Sequence, residues 1–152
     1  MFPEMERRGN ECYRRRMSES QYTGGCLCGA LRYRATGTAR NLCYCHCESC
    51  RRAAGSPAVP WATFERAHFQ WLRGALTEYR SSARVLRGFC AACGTSLTYR
   101  SDNRPTEIDV TLGTLDEPTR LVPQMHVWVA DKLPWVTIAD ALPQWPGGAG
   151  AA

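Results

Sequence analysis

The sequence predicts a mainly β fold, and three observations point there. Short segments alternate apolar and polar residues with a period of two, as half-buried strands do. Proline recurs at positions 57, 60, 105, 118, 123, 134, 143 and 146, so no long helix survives. Seven of the nine cysteines fall into three tight clusters, and two of these clusters each feed a strand pattern.

Taken in order, residues 1–20 form an expected tail without hydrophobic periodicity, and Met17 offers a second translation start. Cys12 lies in that tail, away from the other cysteines, and reads as a free thiol without a role. Leu31, Tyr33 and Ala35 alternate with Arg32, Arg34 and Thr36, which predicts a strand. The segment CESCRRAA predicts a helix of about two turns ending at Gly55 ahead of Pro57. FERAHFQWL and TEYRSS read as a strand pair turning at RGA. Ile108, Val110 and Leu112 alternate with Glu107, Asp109 and Thr111, which places Glu107 and Asp109 on a solvent face. MHVWVA reads as a strand with Val127 and Val129 on one side, His126 and Trp128 on the other. The folded body is expected over residues 21–145, and the Gly/Ala run of residues 146–152 as a loose tail.

Composition narrows the class. A chain of 152 residues makes one domain, burying about 68% of its unfolded surface. No apolar run approaches the roughly 20 residues that span a bilayer. The opening residues lack the apolar stretch of a secretory signal, so a reducing cytoplasm is the expected compartment, where thiols stay available to metal. Of the formal charge of +5, the first 16 residues carry five arginines against three glutamates, leaving only +3 for the rest. That scattered surplus argues against nucleic acid and tolerates an acidic small molecule.

The cysteines carry the chemistry. Cys26 and Cys28 stand in GGCLCG, Cys45, Cys47 and Cys50 in CHCESC, and Cys90 and Cys93 in FCAACG. Thiols one or two residues apart converge on a single ion, and zinc takes four such ligands in a tetrahedron. Disulfides fit poorly, because neighbours one residue apart rarely reach the required geometry and the total is odd. CLCGALRYR and CAACGTSLTYR share a cysteine pair, a glycine and a strand ending in Tyr-Arg. Two such knuckles face to face supply the four ligands that one ion needs.

Cys45, Cys47 and Cys50 then remain as a three-thiolate cluster, the arrangement that leaves a metal one open position. Cys47 and Cys50 share a face at the start of the short helix. Its N-terminus and the neighbouring Arg51 and Arg52 favour thiolate. Cys43 leaves two readings open: either it stays apart and the site is open, or it adds a fourth sulfur and closes it. His46 points the other way and reads as a packing or surface residue. His126 reads likewise, with a role at the second metal as the alternative. Trp128 and Trp135 are read as core or rim.

GGCLCGALRYR, CHCESCRRAAGSP, FCAACGTSLTYR and the late HVWVADKLPW with ALPQW together resemble the glutathione-dependent formaldehyde-activating enzyme family, also called the centromere protein V domain family. The likeness spans about residues 22 to 145. It implies a β-tent type fold, a structural zinc on Cys26, Cys28, Cys90 and Cys93, and a second zinc on Cys45, Cys47 and Cys50. Cys43 is an extra beside that pattern. The implied activity is a carbon-sulfur lyase reaction, condensing glutathione with formaldehyde to an S-hydroxymethyl adduct. The three cysteines of the second cluster would be the catalytic set, with Arg51 and Arg52 holding a glutathione carboxylate. The competing expectation is a non-catalytic, zinc-stabilised binding module in which both ions are structural. The chain is expected as a monomer, or as a homodimer through an exposed strand edge.

Overall fold

The computed structural model describes residues 20–150. Cys12 and all but the last residue of the expected N-terminal tail lie outside this range. Among the described residues, ten strands form two sheets. The smaller has the order β1-β2-β5, from β1 (Gln21–Gly25), β2 (Arg32–Thr36) and β5 (Phe69–Arg73). The larger has the order β10-β3-β4-β9-β8-β7-β6. Its strands are β3 (Arg40–Cys45), β4 (Val59–Glu65), β6 (Thr77–Ser82), β7 (Val85–Phe89), β8 (Ser96–Ser101), β9 (Glu107–Thr111) and β10 (Met125–Val127). All neighbours are antiparallel except β10 and β3, which run parallel. The mainly β prediction holds, and the helix α1 (Glu48–Ala54) ends at Gly55 as CESCRRAA implied.

Alternation in β2 turns Tyr33 and Ala35, both fully buried, toward Phe64, Leu97, Ile108 and Val110 of the larger sheet. Burying an aromatic or aliphatic side chain of this kind contributes about 1.5–3 kcal/mol. Phe69 and Trp71 of β5 pack on Tyr33, with ring centroids 5.2 and 5.9 Å away. The other face of the larger sheet carries a second cluster of Cys45, Cys50, Val59, Trp61 and Val127.

Four expectations need correction. FERAHFQWL and TEYRSS do not form a pair: β5 joins β2, whereas β6 joins β7 in the other sheet. The chain crosses between sheets at the predicted turn, so sequence proximity misleads about pairing. The strand of Ile108 is not half-solvated either. β9 is central, and Asp109 and Thr111 are buried along with Ile108 and Val110.

The MHVWVA strand stops at Val127. Trp128 takes a left-handed conformation (φ 58°), and a 3-10 turn follows over Val129–Asp131. The segment from residue 143 onward is the cause, because it lies along β10 and captures the backbone there. Trp145 N donates to His126 O at 2.9 Å, and Trp128 N donates to Gly147 O at 2.8 Å. Pro146 O accepts from Ala130 N in the same run, so the expected loose tail is hydrogen-bonded at its first two residues, Pro146 and Gly147.

Candidate metal centres

Two knuckles with related backbone bonds build the first cluster. Cys26 N donates to Leu31 O at 3.1 Å and Gly29 N to Cys26 O at 3.0 Å. Cys90 N donates to Thr95 O at 3.0 Å and Gly94 N to Cys90 O at 2.8 Å. Gly29 and Gly94 both have φ of 76°, a left-handed conformation that explains the shared glycine after each cysteine pair. The knuckles place the sulfurs of Cys26, Cys28, Cys90 and Cys93 within 4.8 Å of one another. Cys26 and Cys28 are 3.5 Å apart, and Cys28 and Cys90 are 3.8 Å apart. Ligands at about 2.3 Å from a tetrahedral zinc stand about 3.8 Å apart, so the donor set fits that ion. Leu31 N donates to Cys26 Sγ at 3.2 Å, and the Thr95 hydroxyl and amide bring the Cys93 thiol down to about 5.

The second cluster is assembled from a strand end and a helix start. Alternation along β3 turns Cys43 and Cys45 to one face and Tyr44 to the other. Cys47 caps α1, its sulfur accepting from Cys50 N at 3.4 Å. The sulfurs of Cys45, Cys47 and Cys50 lie within 4.8 Å of one another, again a spacing that fits a single ion. Cys43 is not in this group. Its thiol is pushed up to about 12 by burial, which favours the neutral form.

The two clusters differ in what surrounds them. Cys45, Cys47 and Cys50 line a cavity of about 730 Å³, whereas no cysteine of the first cluster does. A row of cross-strand neighbours floors it. Arg87 of β7 pairs with Tyr99 of β8, Tyr99 with Asp109 of β9, and Asp109 with Thr63 of β4. Trp61 lies opposite Cys43, and Met125 and Val127 of β10 continue the apolar wall. Asp109 accepts from Thr63 Oγ1 at 2.6 Å and from Arg104 Nη2 at 2.5 Å. Burial works against the Arg104 charge, but its hydrogen bonds to Asp109 and Glu107, together with the charges of those two carboxylates, outweigh it and hold the guanidinium above its ordinary value.

Arg51 and Arg52 stand elsewhere. Arg51 Nε donates to His46 O at 3.2 Å, and the exposed Arg52 pairs with Glu48 at 2.7 Å. Neither lines the cavity, because α1 turns both side chains away from it. The arginines that do line it are Arg87 and Arg104. No cysteine motif flags them; the one available signal was an arginine within an otherwise apolar strand, VLRGF, for Arg87. His126 is not at the second cluster either. It sits opposite Tyr44 on the far face and bonds His46 and Asp140. His46 itself is 1% exposed, so it is a packing residue and not a surface one. Trp128 lines the cavity mouth, and Trp135 is exposed.

Fold and site together define a two-sheet β protein with two cysteine clusters able to hold metal, one held between two knuckles and one opening on a cavity. The chain belongs to the family described as glutathione-dependent formaldehyde-activating enzyme, which matches residues 21–131. An uncharacterized lyase of Schizosaccharomyces pombe is 32% identical over 83 residues, which is 55% of this chain and 60% of that protein. The match therefore spans less than two thirds of that relative's length. The fold is shared with a crystal structure of a Rhodobacter sphaeroides protein at a TM-score of 0.51 and 22% identity, over 81% of this chain and 98% of that one. Among the described residues, no helix is long and apolar enough to cross a membrane.

Proposed function

We propose that the protein is a zinc-dependent carbon-sulfur lyase that adds glutathione, or a related thiol, to formaldehyde or a related aldehyde in the cytoplasm. The observation that carries this reading is that the three-cysteine cluster opens on the cavity while the four-cysteine cluster does not. Two zinc ions per chain follow: a structural ion on Cys26, Cys28, Cys90 and Cys93, and a second on Cys45, Cys47 and Cys50. Cys43 stands outside the converging sulfurs, which supports an open fourth position.

In the reaction the thiol S–H bond breaks, a C–S bond forms at the aldehyde carbon, and the proton ends on the former carbonyl oxygen. A zinc at the second cluster would supply Lewis acidity and depress the pKa of a thiol bound to it. The protein's own residues do the rest. Trp61, Met125 and Val127 present an apolar wall beside the sulfurs, which limits water around the reacting groups. Arg104, Asp109 and Thr63 form a fixed polar end, and a cavity of this size falls in the range that encloses small ligands.

Formaldehyde and glutathione combine without a catalyst, so the deciding assay is exchange NMR of the two reactants with wild-type protein, with Cys47→Ser, and in buffer. Exchange above the buffer rate that disappears in Cys47→Ser supports the lyase. Exchange equal to buffer with fully metallated protein removes it.

A further inference from the structure

Among the described residues, Arg87 is the cation that bonds a sulfur of the second cluster, and its setting is unusual for an arginine. Its residue is 8% exposed, and among the described residues it forms no ion pair with a carboxylate. Both terminal nitrogens reach the Cys50 sulfur, Nη1 at 3.6 Å and Nη2 at 3.7 Å, and Nη2 also donates to Ser49 Oγ at 3.1 Å. The guanidinium lies over the Tyr99 ring, 5.1 Å from its centroid. Nε is buried without a partner, so the side chain is not placed to satisfy all of its donors. Its orientation favours the sulfur end.

We propose that Arg87 is a positioning residue for the second metal centre, holding Cys50 as a hydrogen-bonded thiolate and neutralising the cluster. The inference rests on the reading that Cys45, Cys47 and Cys50 hold zinc. Three thiolates and a divalent ion leave one uncompensated negative charge in a half-buried site, and such a charge is costly away from water. One guanidinium cancels it. Among the described residues no arginine bonds a sulfur of the first centre, which uses neutral donors, Leu31 N and the Thr95 hydroxyl. Register explains the contact: Arg87 opposes Tyr99 on the cavity face, with three strands between β7 and the β3 strand that carries Cys45.

The test substitutes cobalt(II) at the second centre and compares wild type with Arg87→Met and Arg87→Lys. A hydrogen bond stabilises the filled sulfur orbital, so Arg87→Met should shift the sulfur-to-cobalt charge-transfer band to longer wavelength. It should also weaken metal binding at the second centre by about 10–100-fold in competition with a chromophoric chelator, leaving the first centre unchanged. Arg87→Lys keeps the charge but not the two-pronged contact, and should fall between the two. If Arg87→Met does not fold, the lysine variant decides: a displaced band supports the proposal, and an unmoved band with wild-type affinity overturns it. Failure of the underlying reading looks different, because Cys47→Ser would then leave the metal content of the protein unaltered.

Discussion

His46 Nε2 lies 2.9 Å from His126 Nδ1, on the face of the larger sheet opposite the cavity. His126 Nε2 in turn meets Asp140 at 3.0 Å. The Leu142 amide and His126 hold the Asp140 carboxyl below its ordinary value, so it stays ionised and only accepts. His126 Nε2 therefore donates, and with a neutral His126 ring its Nδ1 accepts from His46 Nε2. The chain of bonds ends at His46 Nδ1, which is buried without a partner. Burial, then the nearby His126, lower the His46 pKa and keep the ring neutral. Residue 46 sits between two cysteines of the cluster, so this chain pins the backbone that carries them.

Replacing His126 with alanine should leave His46 Nε2 buried without an acceptor, at a cost of about 1–3 kcal/mol. Urea denaturation of zinc-loaded protein measures it. A loss no larger than that of a surface substitution would show that the two rings are merely neighbours.

The two clusters should separate under mutation. If Cys26, Cys28, Cys90 and Cys93 hold the proposed structural zinc, Cys26→Ser or Cys93→Ser removes a ligand that joins two distant knuckles, and such a variant should lose cooperative unfolding, because a structural zinc contributes folding energy directly. Cys47→Ser should keep the fold and lose one metal ion. Circular dichroism with metal analysis distinguishes the outcomes, and equal unfolding in both classes contradicts the division of labour.

Arg104→Ala leaves Asp109, 8% exposed, without its bidentate partner. Because the Arg104 side chain is 38% exposed, the expected destabilisation is modest, about 1–3 kcal/mol, accompanied by weaker thiol substrate binding. Arg52→Ala, on the exposed side of α1, should change neither stability nor KM by a measurable amount. A raised KM in the Arg52 variant would return that arginine to the substrate site.

Asp116 anchors the smaller sheet: it bonds Arg32 in β2 and accepts from Thr23 Oγ1 in β1. The Arg32 guanidinium, then the Thr23 hydroxyl, lower its pKa. A depressed carboxyl contributes stability above its unfolded pKa of about 3.9, and the contribution disappears as pH falls through the folded value. The stability difference between wild type and Asp116→Asn should thus be present at pH 7 and vanish in strong acid. Taking the difference cancels metal loss common to both proteins. A difference independent of pH would mean that the aspartate acts by shape alone.

Several features were legible because they depend on residues near one another in the chain. Cysteine spacing, the glycine after each pair and the helix stop at Gly55 all reflect turns closed within a few residues. Alternation located β2 correctly, since that strand has one buried face. It failed for β9, where Asp109 occupies a polar position that looks solvent-facing. There the second face is roofed by a cavity, and the buried carboxylate is matched by Arg104 and Thr63. FERAHFQWL and TEYRSS failed for a related reason, since strand pairing is a choice among distant partners.

By itself the sequence determined the donor set: which thiols lie close enough along the chain to share an ion, and that short strands rather than helices carry them. Only the tertiary structure decided what those thiols face. The register of β7, β8, β9 and β4 gathers Arg87, Tyr99, Asp109 and Thr63 into one row beside Cys45 and Cys50. Sheet register is set by the summed burial of whole strands and not by any local signal, so no motif in the chain announces that row.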